Sequence, residues 1–445
     1  MKRSLDIDFN CAGEDVPLSQ CGEGRLYTTT LGCKINQYET QAIVEAWEAE
    51  GWSRAETPGE ADAVLVNSCA VTAKAVADLR KAVRRLHREN PEARIVITGC
   101  AAQVMAKELS ELPGVARVVP QERKAELLRP HTDRFSVTDY PRARPVVMVQ
   151  DGCSHGCTYC IVPLTRGPSR SRPVEWILDE AEALLERGFQ ELILSGVNLR
   201  QFGRDLPPDS SGRTPDFWDL LQLLEQRLER FAGRARLRLS SVEPGQLGEK
   251  ALDVLGGSRL IAPHLHLSLQ AGDPEVLRRM GRGHYRPEQA EAFLQRLKQY
   301  WPLFGLGADL LTGFPGETRE QFENTLAFCE RLPLTYAHVF PYSPRPGTAA
   351  ASMEDKVPSS EKKERAALLR ELAERKRAEF LERICLLDRV DVLVQDDQGH
   401  GVCQYYASCR VQGEACDEGG AERTRRLVAG RPVGLERNIV LVRPT

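Results

Sequence analysis

The sequence predicts an α/β protein of three folded parts, and three observations predict it. From residue 25 to 140, apolar runs of strand length alternate with stretches of helical period, the pattern of a parallel sheet in an open α/β domain. A second and longer alternating run fills 141–384. The remainder, 385–445, changes to strict two-residue alternation in "RVDVLVQ" and "RNIVLVRP", which predicts a small antiparallel β-barrel.

Taken in order, residues 1–24 hold Cys11 and Cys21 with little periodicity and read as an N-terminal extension. "RLYTTTL" reads as a strand, "YETQAIVEAWEAEG" as a helix closed by Gly51, "ADAVLVNS" as a strand, "VTAKAVADLRKAVRRLHREN" as a helix and "ARIVITG" as a strand. "YPRARP", beginning at Tyr140, supplies a proline-rich linker. Beyond it, "VVMVQ", "ELILS", "ARLRLS", "HLHLSL", "LGADLL" and "TYAHVF" are six strands, with helical stretches such as "VEWILDEAEALLERG" between them. Six βα units are too few for the closed eight-stranded barrel, so a partial (βα)6 barrel is expected. "SSEKKERAALLRELAERKRAEFLERI" then reads as a linking helix with an apolar stripe through Leu368, Leu369, Leu372 and Phe380. Its eight basic and six acidic side chains suit a spacer better than a phosphate clamp.

With 445 residues, 28% of them charged and 42% hydrophobic, the chain is ordinary globular material, which excludes a fibre, a disordered tail or a small stapled scaffold. The apolar runs fall short of a membrane span, and "MKRSLDIDF" puts acidic residues where a signal peptide needs an apolar core. A cytoplasmic protein with no membrane partner is therefore expected. Thirteen cysteines in that reducing compartment point to metal or redox chemistry rather than disulfides. A net charge of -3 gives no global attraction to nucleic acid. Locally, Lys74, Arg80, Lys81, Arg84, Arg85 and Arg88 face only Asp78 and Glu89, which is either a solvated helix face or an RNA face, the first being the plainer reading.

Loops at the carboxyl ends of parallel strands carry function because the sheet holds them while they vary. The first strand of the second run ends in "DGCSHGCTYC", with Cys153, Cys157 and Cys160. The next five end in "SGVN", "SSVEP", "SLQAG", "TGFPGE" and "PYSPRPGT", each polar and each bearing Gly or Pro. Structural zinc takes four ligands, usually two short-spaced couples, and no second couple lies near these three thiols. A [4Fe–4S] cluster on three thiolates leaves one iron open to chelate a small molecule, and that is the better reading.

"CSHGCTYC" resembles the signature of the radical S-adenosylmethionine superfamily. The resemblance implies a cluster on Cys153, Cys157 and Cys160 whose open iron takes the amino and carboxylate groups of S-adenosylmethionine, one electron then breaking a carbon–sulfur bond to give a 5′-deoxyadenosyl radical. It also implies that Tyr159 packs near the cofactor and that Ser195, Gly196, Val197 and Asn198 form the methionine-binding stretch. Gly313, Pro315 and Gly316 then belong to a loop near the adenine, while Ser268, Asn198 and Gln270 offer polar contacts. Glu317 either serves that loop or caps the helix "ETREQFENTLAFCERL".

The first domain carries a second trio. Cys33 follows its first strand in "TLGCKINQYE", Cys69 its second in "NSCAVT" and Cys100 its third in "TGCAAQ". Independent buried cysteines have no reason to respect one rim of one sheet, so a second three-thiolate cluster is the better account.

"LGCKxNxYE", "NSCAVT" and "GCAAQ" ahead of the radical motif resemble the methylthiotransferases over 25–384. The resemblance implies two [4Fe–4S] clusters, S-adenosylmethionine as methyl donor and radical source, and insertion of sulfur into an unactivated C–H bond. As partners it implies a reductant such as flavodoxin or ferredoxin and a sulfur donor. Three branches compete, acting on isopentenyladenosine of tRNA, on ribosomal protein S12 or on N6-threonylcarbamoyladenosine of tRNA. "GCKINQYE", with Lys34 and Tyr38, "SGVNLRQFG" and "HVFPYSPRPGT" resemble the last, which implies the tRNA anticodon loop as partner. A base there is accessible without melting a duplex. Lys34 or Arg166 is a candidate for a phosphate or the threonyl carboxylate; Arg170 and Arg172 fit ordinary salt bridges equally well.

The C-terminal barrel resembles the TRAM module, an RNA-binding domain. "GVCQYY" aligns with its Gly-x-Thr-x-Asn-Tyr stretch, matching at Gly401 and Tyr406 and departing at Cys403 and Tyr405. Cys403, Cys409 and Cys416 lack metal-ligand spacing, and with Cys11, Cys21, Cys329 and Cys385 they read as incidental. A non-catalytic electron carrier is the remaining alternative, but it has no need of the "SGVN" and "TGFPGE" loops.

Overall fold

The computed structural model describes residues 23–128, 134–208, 212–413 and 424–445; Cys11, Cys21 and Cys416 lie outside the described residues. The chain forms two units, Met1–Thr138 with Cys160–Pro168, and Asp139–Tyr159 with Ser169–Thr445. A division by sequence order does not anticipate that Cys160–Pro168 packs with the first unit.

In the first unit five parallel strands, β1 (Arg25–Thr30), β2 (Ser53–Arg54), β3 (Ala63–Ser68), β4 (Arg94–Gly99) and β5 (Val115–Pro120), lie in the order β2-β1-β3-β4-β5. Every residue of β3 is buried, as a strand covered on both faces requires. β5 was not expected: Arg117 interrupts its apolar run and only Val119 is fully buried, as befits an edge strand. The helices are α1 (Lys34–Glu48), α2 (Ala73–Glu89), α3 (Cys100–Val104), α4 (Ala106–Ser110) and, from the later segment, α5 (Val162–Arg166). α2 starts where the Thr72 hydroxyl accepts the Ala75 N–H at 3.1 Å, and Val76, Leu79, Val83 and Leu86 form its buried stripe. Lys74 pairs with Asp78, Arg80 with Glu108 and Arg85 with Glu89, while Lys81, Arg84 and Arg88 are exposed on the same helix.

In the second unit β6 (Val146–Asp151), the short antiparallel β7 (Arg170–Ser171), β8 (Glu191–Gly196) and β9 (Arg236–Leu239) form one sheet in the order β7-β6-β8-β9. β10 (Ser241–Val242), β11 (His264–Gln270), β12 (Gly305–Thr312) and β13 (Tyr336–Pro341) form a second, parallel sheet. A bridge between Leu237 and Ile261 joins them. The six expected strands are thus β6, β8, β9, β11, β12 and β13. Between them lie α6 (Val174–Glu186), α7 (Phe217–Arg227), α8 (Glu249–Gly257), α9 (Pro274–Arg279), α10 (Pro287–Leu297) and α11 (Arg319–Arg331), followed by the long α12 (Ser359–Cys385). The stripe of α12 differs from expectation by one position. Leu369, Leu372, Phe380, Leu381 and Ile384 are buried, whereas Leu368 is exposed.

β14 (Val390–Val394), β15 (His400–Cys403), β16 (Ser408–Val411), β17 (Leu427–Glu436) and β18 (Ile439–Pro444) close a barrel in the order β14-β15-β16-β18-β17. Its core is Val390, Val392, Val440 and Val442 with Cys403 and Cys409, which packs both thiols as small apolar groups. The turn after β15 reaches the inner face of the larger barrel. Arg238 donates to the carbonyls of Cys403 and Gln404, Arg236 to those of Asp391 and Val402, and both arginines pair with the fully buried Glu191. Burial alone would raise the Glu191 carboxyl, yet the two guanidiniums hold it far below the carboxylate range.

Candidate functional site

The polypeptide after β6 is shaped by hydrogen bonds from neighbouring strand ends. Gln150, fully buried, donates through Nε2 to the carbonyls of Asp151 and Gly152 at 2.7 Å, while its Oε1 accepts the Asn198 N–H at 2.8 Å. One side chain therefore ties the cysteine loop to the "SGVN" loop. Asn198 closes the arrangement, with Nδ2 3.6 Å from the Cys153 sulfur and Oδ1 accepting the Arg200 N–H. Thr158 donates its N–H to the Met280 carbonyl and accepts the Ala350 N–H on its own carbonyl. At Gly281, φ is +74° and an added β-carbon would stand 2.6 Å from the Gly156 carbonyl oxygen, so no side chain fits where the cysteine loop passes.

Cys157 lies beside a buried cation. Arg282 Nη1 is 3.7 Å from its sulfur, and Arg282 Nη2 donates to the Ser268 carbonyl and pairs with Glu243 at 2.6 Å. Glu243 also meets His284 Nε2 at 2.7 Å. Burial pushes the Cys157 thiol up and Arg282 opposes it; burial likewise works against ionised Glu243, but His284 and Arg282 bring it below its ordinary value. Cys160 opens the segment that packs with the first unit, three residues after Cys157.

Among the other expected cofactor residues, Ser195 is buried at the end of β8, and Gly196 and Val197 lead from it to Asn198. Gln270 takes φ +65°, a left-handed conformation uncommon for a residue with a β-carbon, at an irregularity between β11 and β12. Tyr159 packs against the cluster of Ala271, Met280, Phe314 and Tyr342. Gly313 and Gly316 both have positive φ, and Arg279 donates to the Pro315 carbonyl. Glu317 is not the cap of α11, which Thr318 and Gln321 cap reciprocally. It accepts the Gly313 N–H at 2.7 Å and pairs with Arg365 of α12, bracing the "TGFPGE" loop.

In the first unit, Cys33 is the residue before α1, Cys69 follows β3 and Cys100 opens α3 directly after β4. β1, β3 and β4 are neighbours, so the three thiols share one rim. A β-carbon on Gly32, whose φ is +116°, would lie 2.9 Å from the Cys69 β-carbon. Burial raises the Cys69 thiol, Cys100 and Cys33 raise it further by mutual repulsion, and Arg166 counters them. Three thiolates on one rim are the donor set that holds a [4Fe–4S] cluster with one iron open, and these residues fit such a group.

Beneath these thiols lies a buried polar network. Asn36 donates to the carbonyls of Leu31 and Ser68 and accepts from the Cys33 thiol at 3.3 Å and from Arg166 at 2.8 Å. Arg166 and Lys124 both pair with Glu39, at 3.1 and 2.6 Å. Burial works against ionised Glu39, but the two cations lower it to about 2. This corrects the expectation for Arg166, which is spent inside the unit and does not face a phosphate or a substrate carboxylate. Lys34 stays exposed, and Arg172 makes the alternative salt bridge, with Glu180 at 2.9 Å. Gln150, Arg282, Glu39 and Asn36 escaped sequence reasoning because their partners are 31 to 130 positions away along the chain or sit in loops of unreadable geometry.

Residues 147–329 match the model of the radical SAM superfamily, and 25–120 match that of the uncharacterized protein family UPF0004. The structure of the radical S-adenosylmethionine methyltransferase TsrM from Kitasatospora setae shares the fold, with a TM-score of 0.55 over 74% of this chain and 77% of that one at 16% identity. Fold and loops together define a radical S-adenosylmethionine enzyme, which uses S-adenosylmethionine and a [4Fe–4S] cluster. Threonylcarbamoyladenosine tRNA methylthiotransferase MtaB of Aquifex aeolicus is 34% identical over 80% of this chain and 89% of its own length. MtaB of Bacillus subtilis is 34% identical over 79% and 80%, and the tRNA-2-methylthio-N(6)-dimethylallyladenosine synthase of Herpetosiphon aurantiacus 34% identical over 84% and 87%. The chain belongs to the radical S-adenosylmethionine methylthiotransferases.

Proposed function

We propose that this enzyme converts N6-threonylcarbamoyladenosine beside the anticodon of tRNA to its 2-methylthio derivative, using two [4Fe–4S] clusters. The observation that carries two-cluster chemistry is the trio Cys33, Cys69 and Cys100 at the ends of three adjacent parallel strands. The choice of base is supported by the relatives named MtaB, at 31 to 34% identity over most of their lengths, and by the "GCKINQYE" stretch. Cytoplasmic tRNA suits a chain in which no helix among the described residues is long and apolar enough to cross a membrane.

When bound at Cys153, Cys157 and Cys160, the cluster and S-adenosylmethionine supply reductive cleavage of a carbon–sulfur bond, while the second trio's cluster carries the sulfur. The protein's own residues do the positioning. Gln150 and Asn198 fix the cysteine loop against the methionine-binding stretch, and Arg282 offsets thiolate charge at Cys157. The Gly313–Gly316 loop, held by Glu317 and Arg279, is the place for the adenine, with Tyr159 packed nearby. A reductant such as flavodoxin or ferredoxin and a sulfur donor complete the reaction.

Nucleoside mass spectrometry of tRNA from cells with and without the gene tests this reading. Loss of 2-methylthio-N6-threonylcarbamoyladenosine with accumulation of its precursor is the expected result. Unchanged tRNA with loss of methylthiolated S12, or loss of the isopentenyladenosine derivative, would reassign the substrate and keep the reaction class.

A further inference from the structure

The inner face of the second unit's barrel carries a ladder of rings. Tyr406, from the turn after β15, stands 5.5 Å from Tyr336 and 4.5 Å from His264, and Arg238 lies over its face at 5.0 Å. With Glu191 this makes a closed floor in which one buried carboxylate faces the two guanidiniums of Arg236 and Arg238. Above it, His266 is 5.5 Å from Tyr336 and 5.1 Å from His338, and His338 is 6.4 Å from Phe340. β11 contributes His264 and His266, and β13 contributes Tyr336, His338 and Phe340 at alternate positions. β12 contributes Gly305 and Gly307, whose missing side chains make room for the Tyr405 carbonyl and for the rings of Tyr336 and His266, and then Asp309, paired in register with His338.

Exposure rises along this ladder. His266 is buried, while the His338 side chain is 56% exposed and Phe340 is 47% exposed. Asp309 accepts from His266 Nε2 at 3.1 Å and from His338 Nδ1 at 3.2 Å, and His266 is fixed at its other nitrogen by the Tyr336 hydroxyl at 3.0 Å. Burial opposes charge on Asp309, but the two imidazoles hold it well below the usual carboxylate range. Asp309 therefore orients the His338 ring by one nitrogen and leaves Nε2 directed away from that bond. The apolar ring of Phe340 lies one step further out on the same face.

A purine stacks on an exposed aromatic ring, and an anionic substituent of that purine needs a donor beside the stack. Arg236 and Arg238 are already paired with Glu191, and Arg282 with Glu243. We propose that His338, as an imidazolium whose Nδ1–H is held by Asp309, donates from Nε2 to the carboxylate of the threonylcarbamoyl group while Phe340 carries the purine, making His338 the residue that selects a carboxylate-bearing adenosine. This rests on the substrate reading above.

The test uses the reconstituted full-length enzyme and two anticodon stem-loops, one carrying N6-threonylcarbamoyladenosine and one carrying the same base with its carboxylate converted to the amide. Wild type should prefer the acid by about 10- to 100-fold in kcat/KM, the range of a hydrogen bond to a charged group. His338→Phe should erase that preference chiefly through a higher KM for the acid, and His338→Arg should restore it. Iron content and circular dichroism confirm that the variants are folded and loaded. If wild type modifies the acid but His338→Phe keeps the preference, or wild type shows none, the proposal is overturned and the substrate reading stands. If wild type modifies neither stem-loop but acts on an isopentenyladenosine stem-loop, the substrate reading fails and the proposal with it. One equivalent of zinc or manganese retained by wild type and lost in Asp309→Asn would also overturn it, because both imidazoles would then be ligands.

Discussion

The carbonyl oxygen of the Gln150 side chain accepts the backbone N–H of Asn198 at 2.8 Å, and through that bond the loop holding Cys153 is fixed to the loop that follows β8. The other end of the same amide holds the carbonyls of Asp151 and Gly152. Gln150→Ala removes these bonds, and a fourth from Nε2 to the Ser169 hydroxyl, without touching a ligand. It is expected to lower kcat/KM for 5′-deoxyadenosine release by about 10- to 100-fold, the usual cost of losing a group that orients ligands. Iron content should fall less than activity; a variant with wild-type kinetics would show that the loop holds itself.

The two cysteine trios separate by readout. Cys157→Ala should abolish 5′-deoxyadenosine release, because three thiolates are the minimum that holds the cluster with one open iron. Cys69→Ala should leave that release largely intact and stop methylthiolation. Methylthiolated product from Cys69→Ala would remove the case for a second cluster.

Gly281→Ala places a β-carbon 2.6 Å from the Gly156 oxygen in a backbone with φ +74°. Strain of about 1–3 kcal/mol is expected there, relieved by moving the cysteine loop. The measurable result is a lower iron content at the first cluster with an unchanged fold by circular dichroism.

Glu39→Gln leaves Arg166 and Lys124 buried without a counter-charge, and removing one partner of such a network costs about 3–5 kcal/mol. Urea unfolding at pH 7 should show the loss in the first unit. The sign with pH follows from the depressed carboxyl. Glu39 stabilises the fold fully above its unfolded value of 4.5, and that contribution is lost as pH falls from there toward about 2, so wild type and variant should converge in acid.

Tyr406→Ala removes the ring that fills the floor between His264, Tyr336 and Arg238. A loss of about 3–5 kcal/mol, the usual cost of deleting a packed aromatic, should appear as earlier thermal release of the C-terminal barrel, followed by proteolysis at residues 385–390. Of the positions where "GVCQYY" departs from the RNA-binding module, Cys403 is buried in the barrel core and Tyr405 packs against it.

The strands and helices were legible because burial imposes a period on the sequence. "ADAVLVNS" and "HLHLSL" are short apolar or alternating runs, and the cysteines stand directly behind such runs, so both trios were placed at strand ends from the order of residues alone. β5 was missed because an edge strand is only half buried and carries Arg117 in its middle. The stripe of α12 was set one residue off at Leu368, where two adjacent leucines leave the phase of a helix ambiguous.

By itself, then, the sequence determined the class of reaction, and it singled out six cysteines and the "SGVN" and "TGFPGE" loops as the candidates to carry it. Only the tertiary structure decided what supports them. It turned Arg166 inward onto Glu39, took Glu317 from a helix cap to a loop brace, and set His338 beside Asp309 at the exposed end of a ladder of rings. The physical reason is one of range. Period and spacing are properties of neighbouring residues, whereas a buried charge takes whichever partner the fold brings within 3 Å or so, and that partner stands 127 positions away for Arg166 and 48 for Glu317.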